Sequence, residues 1–404
     1  MADLSWLDGG ITAVPGILAS GMVAGIKASG KPDLALVYSS APARAAAVFT
    51  SNQVKGAPVL VSQEHIRGRK AQAIVACSGC ANVCTGEQGI KDAREMTKTV
   101  GDLLRIPAQQ VLVASTGVIG QALPMDKIRT ALPKLVKALS PQGSRRAAEA
   151  IMTTDTVAKE VALRVDVGGR SVTIGGIAKG VAMLEPHLAT MFCFIASDAM
   201  IAADALDAAL RRAVDRSFNR VTVDSDQSTS DTVAILANGL AENAPLERGG
   251  KAFRAFSEGL NAVAERLARM LVKDGEGVSK VVEIHVRGAR SRKDALLAAR
   301  SVANSPLVKT AICGADPNWG RLMMALGKSP ARIVQDRIGI SIGDHKVVEQ
   351  GALSAGARLD RVREVMGTPE YTIEIDLGQG RGEDRVWTSD LTEEYVRLNS
   401  KYTT

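Results

Sequence analysis

Residues 188–197, LATMFCFIAS, carry an apolar run, Met191 to Ile195, directly behind a stretch punctuated by Gly175, Gly176, Gly180 and Pro186. A short apolar run bounded by glycine or proline reads as a buried strand, so this stretch constrains the chain to a layered structure with the run in its interior. The Ala189-Thr190 bond lies where loop gives way to strand. Cutting it would make Thr190 a new amino terminus at the head of that strand. An N-terminal threonine carries its own general base, because the freed α-amino group, with an ordinary pKa of roughly 8, can accept the hydroxyl proton. From spacing alone the same residues are equally a core strand in which a β-branched threonine fits.

Several classes are disfavoured by composition. Aromatic residues make up 3% of the 404, so the core has to be built from Ala, Val, Leu and Ile. The net charge of +7 is dispersed over short patches such as Arg67 to Lys70 and Arg290 to Lys293, without interleaved aromatics, which argues against nucleic acid as a partner. No uncharged run approaches the roughly 20 residues of a membrane helix, and MADLSWLDGG lacks the basic and apolar regions of a signal peptide. Five cysteines, an odd number, fit reduced thiols and a cytoplasmic location.

Along the chain, DLALVYSS, AAAVFT, APVLVSQ and AQAIVAC read as successive strands. In the following stretch Cys77 and Cys80 raise a metal or redox reading, but no second ligand pair follows at zinc spacing. Small residues at a tight turn are the expectation, with no metal and no cofactor. Residues 91–105 are helical in period, VLVAST returns to strand and ends in Thr116-Gly117, and 124–139 reads as a helix interrupted near Pro133. Asp224, Asp226 and Asp231 suggest a calcium loop, but Thr229 stands where its glycine belongs and Ile235 where its glutamate does, so that reading fails. A helix over 251–272 leads to the loop Asp274-Gly-Glu-Gly277. The run Gly378 to Gly382 reads as a hairpin turn joining YTIEIDL to RVWTSD.

The phrases GIKASGKPDLAL, FTSNQVKGAPV, STGVIG, AKGVAMLEPHLATM and KTAICGADPNWGRLMMALG, spread over nearly the whole chain, resemble the ornithine acetyltransferase (ArgJ) family. The resemblance implies self-cleavage between Ala189 and Thr190, giving chains 1–189 and 190–404 with Thr190 as nucleophile. It implies an oxyanion hole at Thr116 and Gly117. Substrate contacts map to Thr153, Lys179, Thr190, Glu276, Asn399 and Thr404. The family usually has asparagines where Cys77 and Cys80 stand, a departure that bears on any polar role of those two positions but not on the nucleophile.

The implied architecture is α/β, a four-layer αββα sandwich of the N-terminal-nucleophile type over residues 1–280, with a smaller α+β domain at 281–404 whose tail returns to the active site. The implied activity is acetyl transfer from N2-acetylornithine to glutamate in arginine biosynthesis, with acetyl-CoA a second donor in some members, in an α2β2 assembly. Two other classes stay open. An aminopeptidase-type hydrolase would pass the acyl group from the same threonine to water, and a non-catalytic protein would not cleave at all.

Overall fold

The computed structural model describes residues 3–183 and 191–401. Ala189, Thr190 and Thr404 lie outside the described residues. The chain divides into two compact units, one running to Asn219 and resuming over Asp226–Leu271, the other taking Arg220–Ser225 and the described chain from Val272 onward.

In chain order the first unit contains β1 (Leu4–Leu7), β2 (Ile17–Met22), β3 (Leu34–Ser39), β4 (Arg44–Phe49), α1 (Ala57–His65), β5 (Ala73–Cys80), α2 (Gly86–Leu104), β6 (Val111–Val118), α3 (Met125–Lys137), α4 (Ser144–Ile151), β7 (Lys159–Asp166), β8 (Ser171–Lys179), β9 (Phe192–Ser197) and α5 (Ala203–Arg216). After β10 (Val221–Thr222), which joins the second unit, come β11 (Thr232–Ala237) and α6 (Gly250–Lys273). One sheet has the order β1-β7-β8-β9-β11-β4 and the other β2-β3-β5-β6.

The two sheets pack face to face. Between them Ala35, Val37, Ile74 and Ala76 of one sheet share a core with Ile177, Phe192, Phe194 and Ala234 of the other, and α4 contributes Ala147, Ala148 and Ile151. So many alanines let the layers approach closely, which is how a chain poor in aromatics closes its core. The outer face of the smaller sheet carries α1, α2 and α3, with Met96, Ile128 and Leu132 on Leu36 and Val75. On the outer face of the larger sheet, α6 lies tight enough that a Cβ on Gly259 would fall 3.1 Å from Val165. The layering is therefore αββα. Among the described residues no helix is long and apolar enough to cross a membrane.

Two local expectations fail in this unit. APVLVSQ is helix α1 and not a strand. Pro58 occupies the first turn, where a missing N–H costs nothing. The helix then caps sheet edge β6, with Ser62 Oγ donating to Val113 C=O at 2.7 Å and His65 Nδ1 2.8 Å from Val111 C=O. Its valines are buried against that edge, so tertiary contacts override a β-branched sequence. Pro133 does not interrupt α3, which runs through it.

The second unit is α+β. Its strands are β10, β12 (Val281–Ala289), β13 (Gly339–Ile342), β14 (His345–Glu349), β15 (Ala352–Leu353), β16 (Glu370–Asp376) and β17 (Gly382–Ser389), in the order β10-β17-β12-β16-β13-β14-β15. Helices α7 (Arg292–Ala303), α8 (Pro306–Cys313), α9 (Trp319–Gly327), α10 (Leu359–Met366) and α11 (Glu393–Asn399) complete it. The expected hairpin between YTIEIDL and RVWTSD is absent from the observed pairing, because β12 lies between β16 and β17, parallel to one and antiparallel to the other. The glycine run carries the chain across the end of β12. A Cβ at Gly380 would sit 2.6 Å from Ala289 O and one at Gly382 2.3 Å from the Ser291 carbonyl carbon, so only glycine allows this crossing.

Candidate active site

In the first unit, β6 and β8 bring Thr116, Gly117 and Lys179 together. Lys179 ends β8 and pairs in register with Phe192, the first residue of β9 and two positions after Thr190. Its ammonium is buried and donates to Thr116 Oγ1 at 3.3 Å. Thr116 is equally buried near the end of β6. Lys179 thus stands against Thr116, the first half of the proposed oxyanion pair.

Gly117 follows in a conformation closed to other residues. Its φ is +129°, and a Cβ would fall 2.4 Å from the carbonyl carbon of Gly79 on the parallel neighbour β5. The Thr-Gly pair thus bends sharply against β5.

Asp155, which no sequence motif marks, organises the cluster. Its Oδ1 accepts from Lys159 Nζ at 2.7 Å and from the Gly180 amide at 2.8 Å, while Oδ2 accepts from the Thr153 amide at 3.0 Å. One carboxylate thereby fixes the backbone of Thr153 and of the residue after Lys179. Burial opposes its ionisation, but the Lys179 and Lys159 ammoniums and the two hydrogen bonds outweigh burial and hold it below the ordinary carboxyl range. Lys27 belongs to the same neighbourhood. Burial lowers it to about 8, with Lys179 adding to the shift and Asp33 and Asp155 opposing it. Three lysines, Lys27, Lys159 and Lys179, against the two carboxylates Asp33 and Asp155 leave the cluster net cationic, suited to an anionic ligand.

A second missed residue is Asp231, just before β11. It is fully buried, and its Oδ1 accepts from the amide of Met191 at 2.9 Å.

In the second unit Glu276 is buried and not an exposed loop residue, and it accepts from Asn399 Nδ2 at 2.8 Å. The chain before the tail's last residues is helix α11, capped by Thr392, which accepts from the Tyr395 amide and donates to Gly277 C=O. Two further sequence candidates are thus in direct contact.

Cys77 and Cys80 stand on β5 and not at a tight turn. Cys77 Sγ lies 3.0 Å from Ser115 Oγ, and burial pushes the thiol up to about 12. Both cysteines are free thiols, and no cluster of His, Cys, Asp or Glu able to hold a metal occurs among the described residues.

A model of the ArgJ family matches residues 18–404. A curated relative from Symbiobacterium thermophilum, an arginine biosynthesis bifunctional protein ArgJ, is 46% identical over 408 residues, covering 99% of this chain and 100% of its own. One of the same name from Geobacter sulfurreducens is 46% identical over 391 residues, covering 97% and 100%. Among solved structures, the ornithine acetyltransferase of Mycobacterium tuberculosis complexed with ornithine is 42% identical, covers 46% of this chain and 98% of its own, and has a TM-score of 0.43.

Proposed function

The chain belongs to the ArgJ family, and on that premise we propose that it transfers the acetyl group of N2-acetylornithine to glutamate through an acetyl ester on Thr190. Membership makes it an acyltransferase of arginine biosynthesis. The observation that carries the finer reading is the contact between Lys179, at the end of β8, and Thr116, near the end of β6.

Cleavage of that bond frees the Thr190 α-amine, which takes the Oγ proton as Oγ attacks the acetyl carbon. Thr116 and Gly117 stabilise the tetrahedral oxyanion, a contribution of about a hundredfold or more per donor. The C–N bond breaks, the α-amine returns the proton to the leaving nitrogen, and ornithine departs. The amine of glutamate then attacks the ester, and N-acetylglutamate leaves as the threonine hydroxyl is restored.

Lys179 and Thr153 hold the substrate carboxylate and backbone. Glu276 offers a carboxylate to the amino group of ornithine or glutamate, with Asn399 beside it, and Thr404 completes the contacts. Acetyl-CoA as a second donor, an α2β2 assembly of the two cleaved chains and a cytoplasmic location belong to the same proposal. Neither metal nor nucleic acid takes part.

Denaturing intact-mass analysis with amino-terminal sequencing tests it. Two polypeptides are expected, the second beginning at Thr190 and gaining an acetyl group from N-acetylornithine. An uncut, well-folded chain would overturn the mechanism. Acyl hydrolysis that proceeds as fast without glutamate would favour the aminopeptidase-type alternative.

A further inference from the structure

Asp231 is a buried acid that the acetyl-transfer scheme leaves without a task. Its setting is rigid. The Thr50 amide donates to Asp231 C=O at 3.1 Å, Thr50 Oγ1 donates to Ser228 C=O at 2.7 Å, and Asn52 Nδ2 donates to Gln227 C=O at 3.0 Å. The Gly56 amide donates to Thr229 C=O at 3.0 Å. The phrase FTSNQVKG therefore works as a staple that holds residues 227–231 in place.

From that fixed position Asp231 grips the start of the nucleophile strand. Its Oδ1 takes the Met191 amide at 2.9 Å, and the amide of the next residue, Thr232, donates to Met191 C=O at 3.1 Å. Parallel pairing of Thr232 with Phe192 continues the same register. Both backbone groups of the residue that follows Thr190 are thus held by one dipeptide.

The other carboxyl oxygen, Oδ2, is buried and forms no hydrogen bond among the described residues. An unpaired buried carboxyl is costly and calls for an explanation. Burial pushes Asp231 well above the ordinary carboxyl range. The Met191 amide, the nearby Ser228 hydroxyl and the Lys179 ammonium oppose burial without offsetting it, although Ser228 completes no hydrogen bond of normal geometry to Oδ2. Lys179 on β8 is the charged side chain that acts on Asp231, and Lys179 itself is engaged with Thr116 and influences Asp155. On β9 the nearby ionisable group is the Cys193 thiol, held protonated by burial. Among the described residues, Asp231 is therefore a buried acid whose Oδ2 has no hydrogen-bonded cation.

Cleavage would make one. Three covalent bonds separate the Thr190 α-nitrogen from the Met191 nitrogen, which limits their separation to about 4 Å. Resting on the Thr190 reading, we propose that Asp231 is the positioning residue of the nucleophile, seating Met191 through Oδ1 and serving through Oδ2 as counter-ion to the α-ammonium that cleavage creates. The pairing keeps the amine next to its own hydroxyl and ties completion of the site to cleavage.

Asp231→Asn keeps an acceptor for Met191 and removes the charge. It should cleave more slowly and, once cleaved, lose at least tenfold in kcat/KM with little change in KM. The acidic limb of its pH profile should move down by about one unit, because the α-ammonium loses a neighbouring anion. The sign of its stability effect should reverse with cleavage. In the uncleaved Thr190→Ala background Asp231→Asn should raise Tm at pH 7, and in the cleaved chain it should lower it. Competitive acetylation of the Thr190 α-amine in the wild-type enzyme gives the same answer without a variant at Asp231. An α-amine pKa above roughly 8 supports the pairing, and one at or below that value overturns it. A cleaved Asp231→Asn enzyme with unchanged rate and pH profile overturns the role of Asp231 alone. A wild-type chain that never cleaves overturns the Thr190 reading and this inference with it.

Discussion

Asn399 Nδ2 donates to Glu276 Oε2 at 2.8 Å and to Tyr395 C=O at 3.0 Å, so one amide closes helix α11 onto the loop that follows α6. Replacing it by aspartate would set two carboxylates in contact. Asn399→Asp should release α11, seen as faster hydrogen exchange and proteolysis over residues 392–401. Asn399→Ala should do so less. Because a hydrogen bond to a charged group contributes about 1.5–3 kcal/mol, Glu276→Gln should raise KM for N-acetylornithine about tenfold or more while leaving cleavage at Thr190 intact. Unchanged KM in that variant would remove Glu276 from the substrate contacts.

The Lys159–Asp155 pair has both side chains fully buried at 2.7 Å. Removing one member of such a pair leaves an uncompensated charge and costs about 3–5 kcal/mol. Lys159→Met should therefore lower Tm sharply, and Asp155→Asn should do so while also loosening Thr153 and Gly180. Asp155 is held below its ordinary range in the folded chain, so its contribution is present above the unfolded carboxyl pKa near 4. That contribution is lost as pH falls through the lower, folded value. Acid unfolding of the wild type should thus be steeper below pH 4 than that of Asp155→Asn, which urea midpoints taken across that range would report.

Gly117→Ala tests the bend at the proposed oxyanion pair. An alanine there meets both an unfavourable φ and a backbone carbon at 2.4 Å, and the obstruction is strand β5 and not a flexible side chain. A loss of about 2–4 kcal/mol is expected, with kcat falling by more than the remaining folded fraction explains. Wild-type stability in Gly117→Ala would mean that β5 and β6 can separate at that point.

Much of this was legible in the sequence because period and punctuation agree with the local structure. The long amphipathic helices α2 and α6 and the strand that carries Thr-Gly fall where hydrophobic spacing puts them. APVLVSQ failed because its valines face a sheet edge from a helix, a preference set by β6 and not by the segment itself. The crossing at Gly380 and Gly382 failed because turn composition reports a tight approach but not which strand is approached. Lys179 and Thr116 were legible through the family resemblance, whereas Asp155 and Asp231 were not singled out as site residues. A carboxylate that works by accepting backbone amides has no spacing signature, since its partners lie 2 and 25 residues away in one case and 40 in the other.

Lys27 links the charge of the first-unit cluster to pH within the working range. Burial and the neighbouring Lys179 bring its ammonium down from 10.5 to about 8, while Nζ still donates to Pro32 C=O at 2.6 Å. Below pH 8 the lysine is charged in both folded and unfolded chains, so its burial penalty is fully present. Between pH 8 and 10.5 the folded chain sheds the proton first, the penalty shrinks, and above that range it is gone. Lys27→Gln should consequently stabilise the protein by about 1 kcal/mol at pH 7, allowing for partial solvent screening, and the gain should vanish near pH 10.5. Function should move the other way. With Lys27 neutral the cluster keeps two of its three ammoniums, so KM for glutamate in the wild type should rise as pH passes through 8. In Lys27→Gln, KM should already be high at pH 7 and flat above it. A KM for glutamate that stays constant from pH 7 to 9 in the wild type would show that the Lys27 charge does not reach the bound carboxylate.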